Sequence, residues 1–174
     1  MSNILMKQLL HIILGIGFLS ILFGGTPYAS DNFVVSKNWR AGVPPSGEMA
    51  FDLKRKGKRK PVGFQHFKFT HTEDNSLNVD TYIQIDIYFG PFRVYKYRHF
   101  NSEVWRDGKL IKLSSQTNRN GKKQFVEIYK QDGKLIENAS RRMGELPPDI
   151  ISTTYFNPLF VRQKQIVNTQ DGRV

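Results

Sequence analysis

FRVYKYRHFNSEVWRDGKLIKLSSQT, residues 92–117, is the stretch that decides the fold. It holds a long aromatic and basic strand, a tight Asp107-Gly108 turn and a shorter strand coming back. Asp-Gly and Asn-Gly suit two-residue hairpins because the type I′ turn needs positive φ at both central residues. Asp107-Gly108 leads into 109–117, Asn118-Arg119-Asn120-Gly121 into 122–131, and Asp132-Gly133 into 134–138. Three such signals within about 25 residues predict an antiparallel meander.

Working outward, the strand before this stretch is the clearest in the chain. Leu77, Val79, Thr81, Ile83, Ile85, Ile87 and Phe89 fall on one face, and Asn78, Asp80, Tyr82, Gln84, Asp86 and Tyr88 on the other. Thirteen residues at about 3.3 Å each span roughly 43 Å, so strong coiling or a bulge is expected. The aliphatic face is either packed core or the lining of an apolar cavity. In 92–106 the alternation is mixed. Arg93, Tyr95, Tyr97, His99, Glu103 and Trp105 share a side opposite Phe92, Val94, Lys96, Arg98, Phe100 and Val104. Either both sides meet something polar, or a bulge near Asn101-Ser102 swaps the faces.

Upstream, 48–54 alternates as a half-buried strand and 62–72 is a second strand rich in phenylalanine. Between them lie Lys54, Arg55, Lys56, Lys58, Arg59 and Lys60, gathered around Gly57 and closed by Pro61. Six cations on a protruding turn suit phosphates or anionic headgroups. Like charges also collect in turns simply because solvent screens them there. Downstream, 139–148 reads as a loop and 165–169 as a strand. Residues 149–157 read as a short helix opened by Pro147-Pro148-Asp149, although their β-branched content argues equally for an extended segment. Gln170-Asp171-Gly172 is a turn with two residues beyond it, so either the tail frays or the chain is cut short.

The first thirty residues form no part of this fold. Lys7, an apolar run over 12–23 and small residues at Ala29 and Ser30 describe a secretory signal peptide cut near residue 30, with an uncleaved anchor as the alternative. The apolar run is too short to span a bilayer comfortably. Residues 31–47 are a lead-in with a short strand at 33–36, and 48–174 make one β-rich domain, C-terminally truncated if the chain is cut short. Without cysteine, the chain has no disulfide, no thiolate chemistry and no cysteine metal site. The net charge of +11 suits an anionic partner, and for an exported protein, periplasmic or secreted, that means envelope surface rather than nucleic acid.

The region from about residue 51 onward resembles domain-of-unknown-function family 6134, exported bacterial proteins. The resemblance rests on Val62-Gly63, Tyr95-x-Tyr97-x-His99, Glu103-x-Trp105-x-Asp107-Gly108-x-Leu110, Leu113-x-Ser115-x-Thr117, Asn120-Gly121 and Asn168-Thr169-Gln170-Asp171-Gly172. It implies a curved antiparallel sheet and no known activity. The family pattern runs on through C-terminal strands that this chain lacks.

No constellation announces catalysis. His66 and His71, five apart in a strand, point to opposite faces and make a poor zinc pair. His99 and Glu103 share a face about 13 Å apart, too far for a dyad unless the strand folds on a bulge. Asp80 and Asp86 stand about 20 Å apart, beyond paired-carboxylate chemistry. The sequence carries no nucleophile elbow, no phosphate loop, no dinucleotide fingerprint, and hence no cofactor or metal motif.

The fold expected is all-β and mainly antiparallel, a curved meander or half-barrel with one short helix near 149–157. Its first functional reading is a non-catalytic envelope domain holding an apolar or lipid-like ligand on Ile83, Ile85, Ile87, Tyr95, Tyr97, His99 and Trp105. Its alternative is an interaction module touching anionic surface through Lys54, Arg55, Lys56, Lys58, Arg59 and Lys60. An enzyme of unspecified class comes third.

Overall fold

The computed structural model describes Arg40 and residues 42–174. The chain divides into two compact units, Met1–Val34 and Val35–Val174, and the described residues belong to the second. The signal expected at 1–30 and the short strand expected at 33–36 lie outside the described residues.

Eight strands form one sheet: β1 (Glu48–Lys54), β2 (Pro61–His71), β3 (Leu77–Phe89), β4 (Phe92–Arg106), β5 (Lys109–Arg119), β6 (Lys122–Gln131), β7 (Lys134–Ala139) and β8 (Met143–Leu146). Each pairs antiparallel with its neighbour in sequence, and β1 and β8 remain as edges, so the meander is not a closed barrel. The three predicted hairpins form as their chemistry requires. Asp107 and Gly108 adopt φ of 50° and 76°, Asn120 and Gly121 52° and 91°, Asp132 and Gly133 50° and 77°.

Register shifts interrupt the β3–β4 and β4–β5 ladders, leaving Val94 and Ile111 unpaired, but not where the alternation pointed. Residues 101–102 stay in register, Asn101 opposite Thr81 and Ser115. The irregularities fall at Ile87/Tyr88 and at Val104/Trp105 instead. No face swap is therefore needed within 95–103. The mixed side of β4 is mixed because its inward residues, Tyr95, His99, Asn101 and Glu103, are buried polar groups.

The core lies where the inner face of the sheet meets the C-terminal segment. Phe67, Phe69, Leu77, Val79, Trp105, Leu113, Val126 and Ile128 pack with Ile150, Ile151, Phe156 and Val167. Phe156 meets both Trp105 and Phe69 edge-on, with centroids 5.3 and 5.6 Å away. Burying side chains of this size stabilises by about 1.5–3 kcal/mol each.

Three local expectations are corrected. Residues 149–157 are not a helix. Ile151–Ser152 form β9, paired parallel with β10 (Ile166–Val167), and Tyr155 takes a left-handed φ of 62° that breaks any helix. The β-branched run favours extension. The helical piece is a 3-10 turn at Pro158–Arg162, where Asn157 caps by accepting from the Leu159 N–H at 3.0 Å. Within the expected loop 139–148, Met143–Leu146 add strand β8 to the sheet. The tail does not fray: Thr169 and Asp171 are buried, and the turn closes through Gly172 N–H to Asn168 O at 2.9 Å.

Candidate functional site

Pairing register sorts the inner face into rows. Toward the β3–β4 turn, Ile87 faces Tyr95; Ile85 faces Tyr97, which faces Arg119; Ile83 faces His99, then Thr117, then Gln124. Toward the opposite end, Val79 faces Glu103, then Leu113, then Ile128, and Leu77 faces Trp105. The second set is sealed under the C-terminal segment. The first set is mixed: Ile83, Ile85 and Ile87 are half-buried, whereas Tyr95, His99, Thr117 and Gln124 are buried. The aliphatic face expected from β3 is thus core at one end and, at the other, a half-buried isoleucine row bordered by buried polar side chains, here called the trough.

The 168–172 turn marks the boundary. Ser115 Oγ donates to Thr169 O at 2.5 Å, and Thr117 Oγ1 to Gln170 O at 3.4 Å. Gln170 Nε2 donates to Gln124 Oε1 at 3.3 Å, and Tyr97 donates its hydroxyl proton to Gln170 Oε1 at 3.4 Å. His99 places Nδ1 2.8 Å from Thr117 Oγ1 and Nε2 3.4 Å from Thr169 Oγ1. Small hydroxyl residues on β5 leave room for the turn backbone and satisfy its carbonyls, as buried carbonyls require.

Burial sets the charge state of this end. Desolvation lowers the His99 pKa to about 4, so its imidazole is neutral near pH 7. Desolvation, reinforced by the neighbouring Tyr95, raises the Tyr97 phenol well above its ordinary value against the opposing Arg119 charge. Tyr95 is raised by desolvation too. Both phenols remain neutral donors, with the Arg119 cation beside them.

Three carboxyl side chains are buried: Glu103, Glu137 and Asp171. Glu103 accepts from Asn101 Nδ2 at 2.9 Å, Trp105 Nε1 at 2.7 Å and Thr154 Oγ1 at 3.2 Å, and burial raises its pKa. It stands two register rows from His99, and its oxygens are occupied by these donors, so the two residues form no dyad. Asp171 is gripped by Arg141 Nε and Arg173 Nε, each 3.0 Å away. Beside it, Glu137 is buried without a hydrogen bond, with Arg142 Nε at 3.7 Å.

Of the ligand-face residues expected from sequence, Ile83, Ile85, Ile87, Tyr95, Tyr97 and His99 come together at the trough. Trp105 does not join them. It is fully buried in the closed core, in the Leu77 row, with Phe156 of the C-terminal segment packed edge-on against it. Sequence reasoning missed Arg119, Gln124, Thr169 and Gln170. The only signals were the Leu113-x-Ser115-x-Thr117 alternation and the 168–172 motif, neither of which states what the turn covers. The six cations of the β1–β2 loop are exposed, with Lys54 3.9 Å from Asp52. Among the described residues no group of three His, Asp or Glu converges as a metal site.

Fold and site together define an open antiparallel meander with one half-covered apolar face. The chain belongs to the family described as Domain of unknown function (DUF6134), whose model matches residues 51–174. Comparison with curated proteins and with solved structures finds no match.

Proposed function

We propose that this protein is a non-catalytic binding domain of the cell envelope, exported through the segment 1–30, that holds an apolar or lipid-like ligand in the trough. The observation that carries the reading is the half-buried row of Ile83, Ile85 and Ile87 standing opposite His99, Tyr97 and Tyr95. An aliphatic chain laid along the isoleucines gains about 0.8 kcal/mol per CH₂ withdrawn from water. Its polar end meets the neutral phenols of Tyr95 and Tyr97 and the Arg119 cation. A mostly apolar surface with a few convergent polar groups is the usual lining of a small-molecule site.

The test is native mass spectrometry of the purified protein, followed by titration with the neutral fluorophore N-phenyl-1-naphthylamine. A co-purified lipid, or a saturable fluorescence rise lost in Ile85→Glu, supports the reading. A ligand-free protein that leaves the fluorophore dark refutes it.

A further inference from the structure

The antiparallel register gathers the connections into two groups of different charge, although the strand ends beside the second group carry Arg106, Lys109, Lys130 and Lys134. The β1–β2, β3–β4, β5–β6 and β7–β8 connections lie at one end of the sheet, and the β2–β3, β4–β5 and β6–β7 connections at the other. At the first end the connecting residues 55–60, 90–91, 120–121 and 140–142 include Arg55, Lys56, Lys58, Arg59, Lys60, Arg141 and Arg142, and no acid. At the second, residues 72–76, 107–108 and 132–133 include Glu73, Asp74, Asp107 and Asp132, and no cation. Arg141 and Arg142 are engaged with Asp171 and Glu137, which leaves the β1–β2 loop as the main source of free positive field.

The basic end also carries an aromatic tip. Phe89 and Phe92 face each other across the Gly90-Pro91 turn and are 69% and 71% exposed, with Tyr88 and Val94 exposed beside them. Gly63 pairs with Ile85, so the close of the basic loop at Pro61 comes level with Ile87, next to this tip. The trough rows Ile85–Tyr97 and Ile87–Tyr95 lead to the same end.

We infer that this end docks on an anionic lipid bilayer, with the 55–60 loop on the headgroups and the Phe89/Phe92 tip in the interfacial layer. Exposed phenylalanine rings gain by entering the headgroup/acyl boundary of a bilayer. Clustered lysine and arginine are drawn to anionic lipid over a Debye length. A soluble polyanion would use the cations and leave the rings in water, whereas a bilayer uses both. Docking in this orientation sets the mouth of the trough against lipid, though the inference does not depend on the trough being a ligand site.

Co-sedimentation of the purified protein with vesicles tests it, comparing pure phosphatidylcholine with phosphatidylcholine containing about a third phosphatidylglycerol. Binding to the anionic vesicles alone, released by 1 M salt, is expected. Replacing Lys56, Lys58, Arg59 and Lys60 by serine weakens it at least tenfold. Phe89→Ser with Phe92→Ser weakens it several-fold and leaves fluorophore binding in the trough intact. Ile85→Glu leaves vesicle binding intact, which separates this inference from the trough reading. The loop and tip side chains are exposed, so unchanged thermal melting verifies the fold of those variants, and a cooperative thermal transition verifies that of Ile85→Glu. Vesicle binding indifferent to both substitutions overturns the inference, as does binding of heparin without binding of anionic vesicles.

Discussion

His99 Nε2 lies 3.4 Å from the hydroxyl of Thr169, joining the central strand β4 to a turn seventy residues further along the chain. That contact, with Ser115 and Thr117 holding the same turn by its carbonyls, is where the sealed half of the inner face ends and the half-open trough begins.

The burial of His99 makes folding pH-dependent. Its folded pKa is about 4 against an ordinary 6.5, so the unfolded chain takes up a proton first as pH falls. Stability is fully present above about 6.5 and is lost progressively down to about 4, where the folded state protonates as well. The shift is worth about 3 kcal/mol. Urea melts of wild type and His99→Gln between pH 4 and 7 should show the variant losing less stability with acidification. Parallel pH profiles would contradict a buried neutral imidazole.

Glu137 carries the opposite sign. Burial raises its carboxyl pKa, with Arg142 lowering it and Asp171 raising it. A carboxyl raised in the folded state favours folding at low pH and disfavours it as pH climbs through the folded pKa. Glu137→Gln should therefore be as stable as wild type or better by about 1 kcal/mol at pH 7. The difference should close below the ordinary carboxyl pKa, where wild type is neutral in both states. A loss of several kcal/mol at pH 7 would instead make the Arg142 contact dominant.

Gly172 sits where a side chain has no space. Its φ is +81°, and a Cβ built there would stand 2.3 Å from Ala139 Cβ and 2.7 Å from Glu137 Oε1. The left-handed backbone alone costs a non-glycine residue about 1–2 kcal/mol, and the clash adds to it. Gly172→Ala should lower the melting temperature by several degrees and expose His99 to solvent. The histidine change is readable as an NMR-titrated imidazole pKa moving back toward 6.5.

The two halves of the inner face should respond differently to truncation. Trp105→Ala removes the centre of the sealed core and should cost about 3–5 kcal/mol in chemical denaturation. Ile85→Ala, at a half-buried trough position, should cost under about half of that while weakening N-phenyl-1-naphthylamine binding. Equal stability losses at the two positions would mean that the trough is as closed as the core.

The amino-acid sequence by itself determined the meander. Asp107-Gly108, Asn120-Gly121 and Asp132-Gly133 demand tight reversals, and the period-two pattern of 77–89 assigns a face to each residue, because turn chemistry and side-chain alternation are local properties. Only the tertiary structure decided what each face meets. The same alternation runs through Val79 and Ile85, yet one is sealed and the other half-open. The difference is made by a C-terminal segment whose extended pieces and 3-10 turn have too little periodicity to announce where they pack. Trp105 went to the core for the same reason, and Thr169 and Gln170 reached the trough. The stretch 92–117 names its own strands and turn. Its tyrosines acquire surroundings only when the 168–172 turn comes back across them.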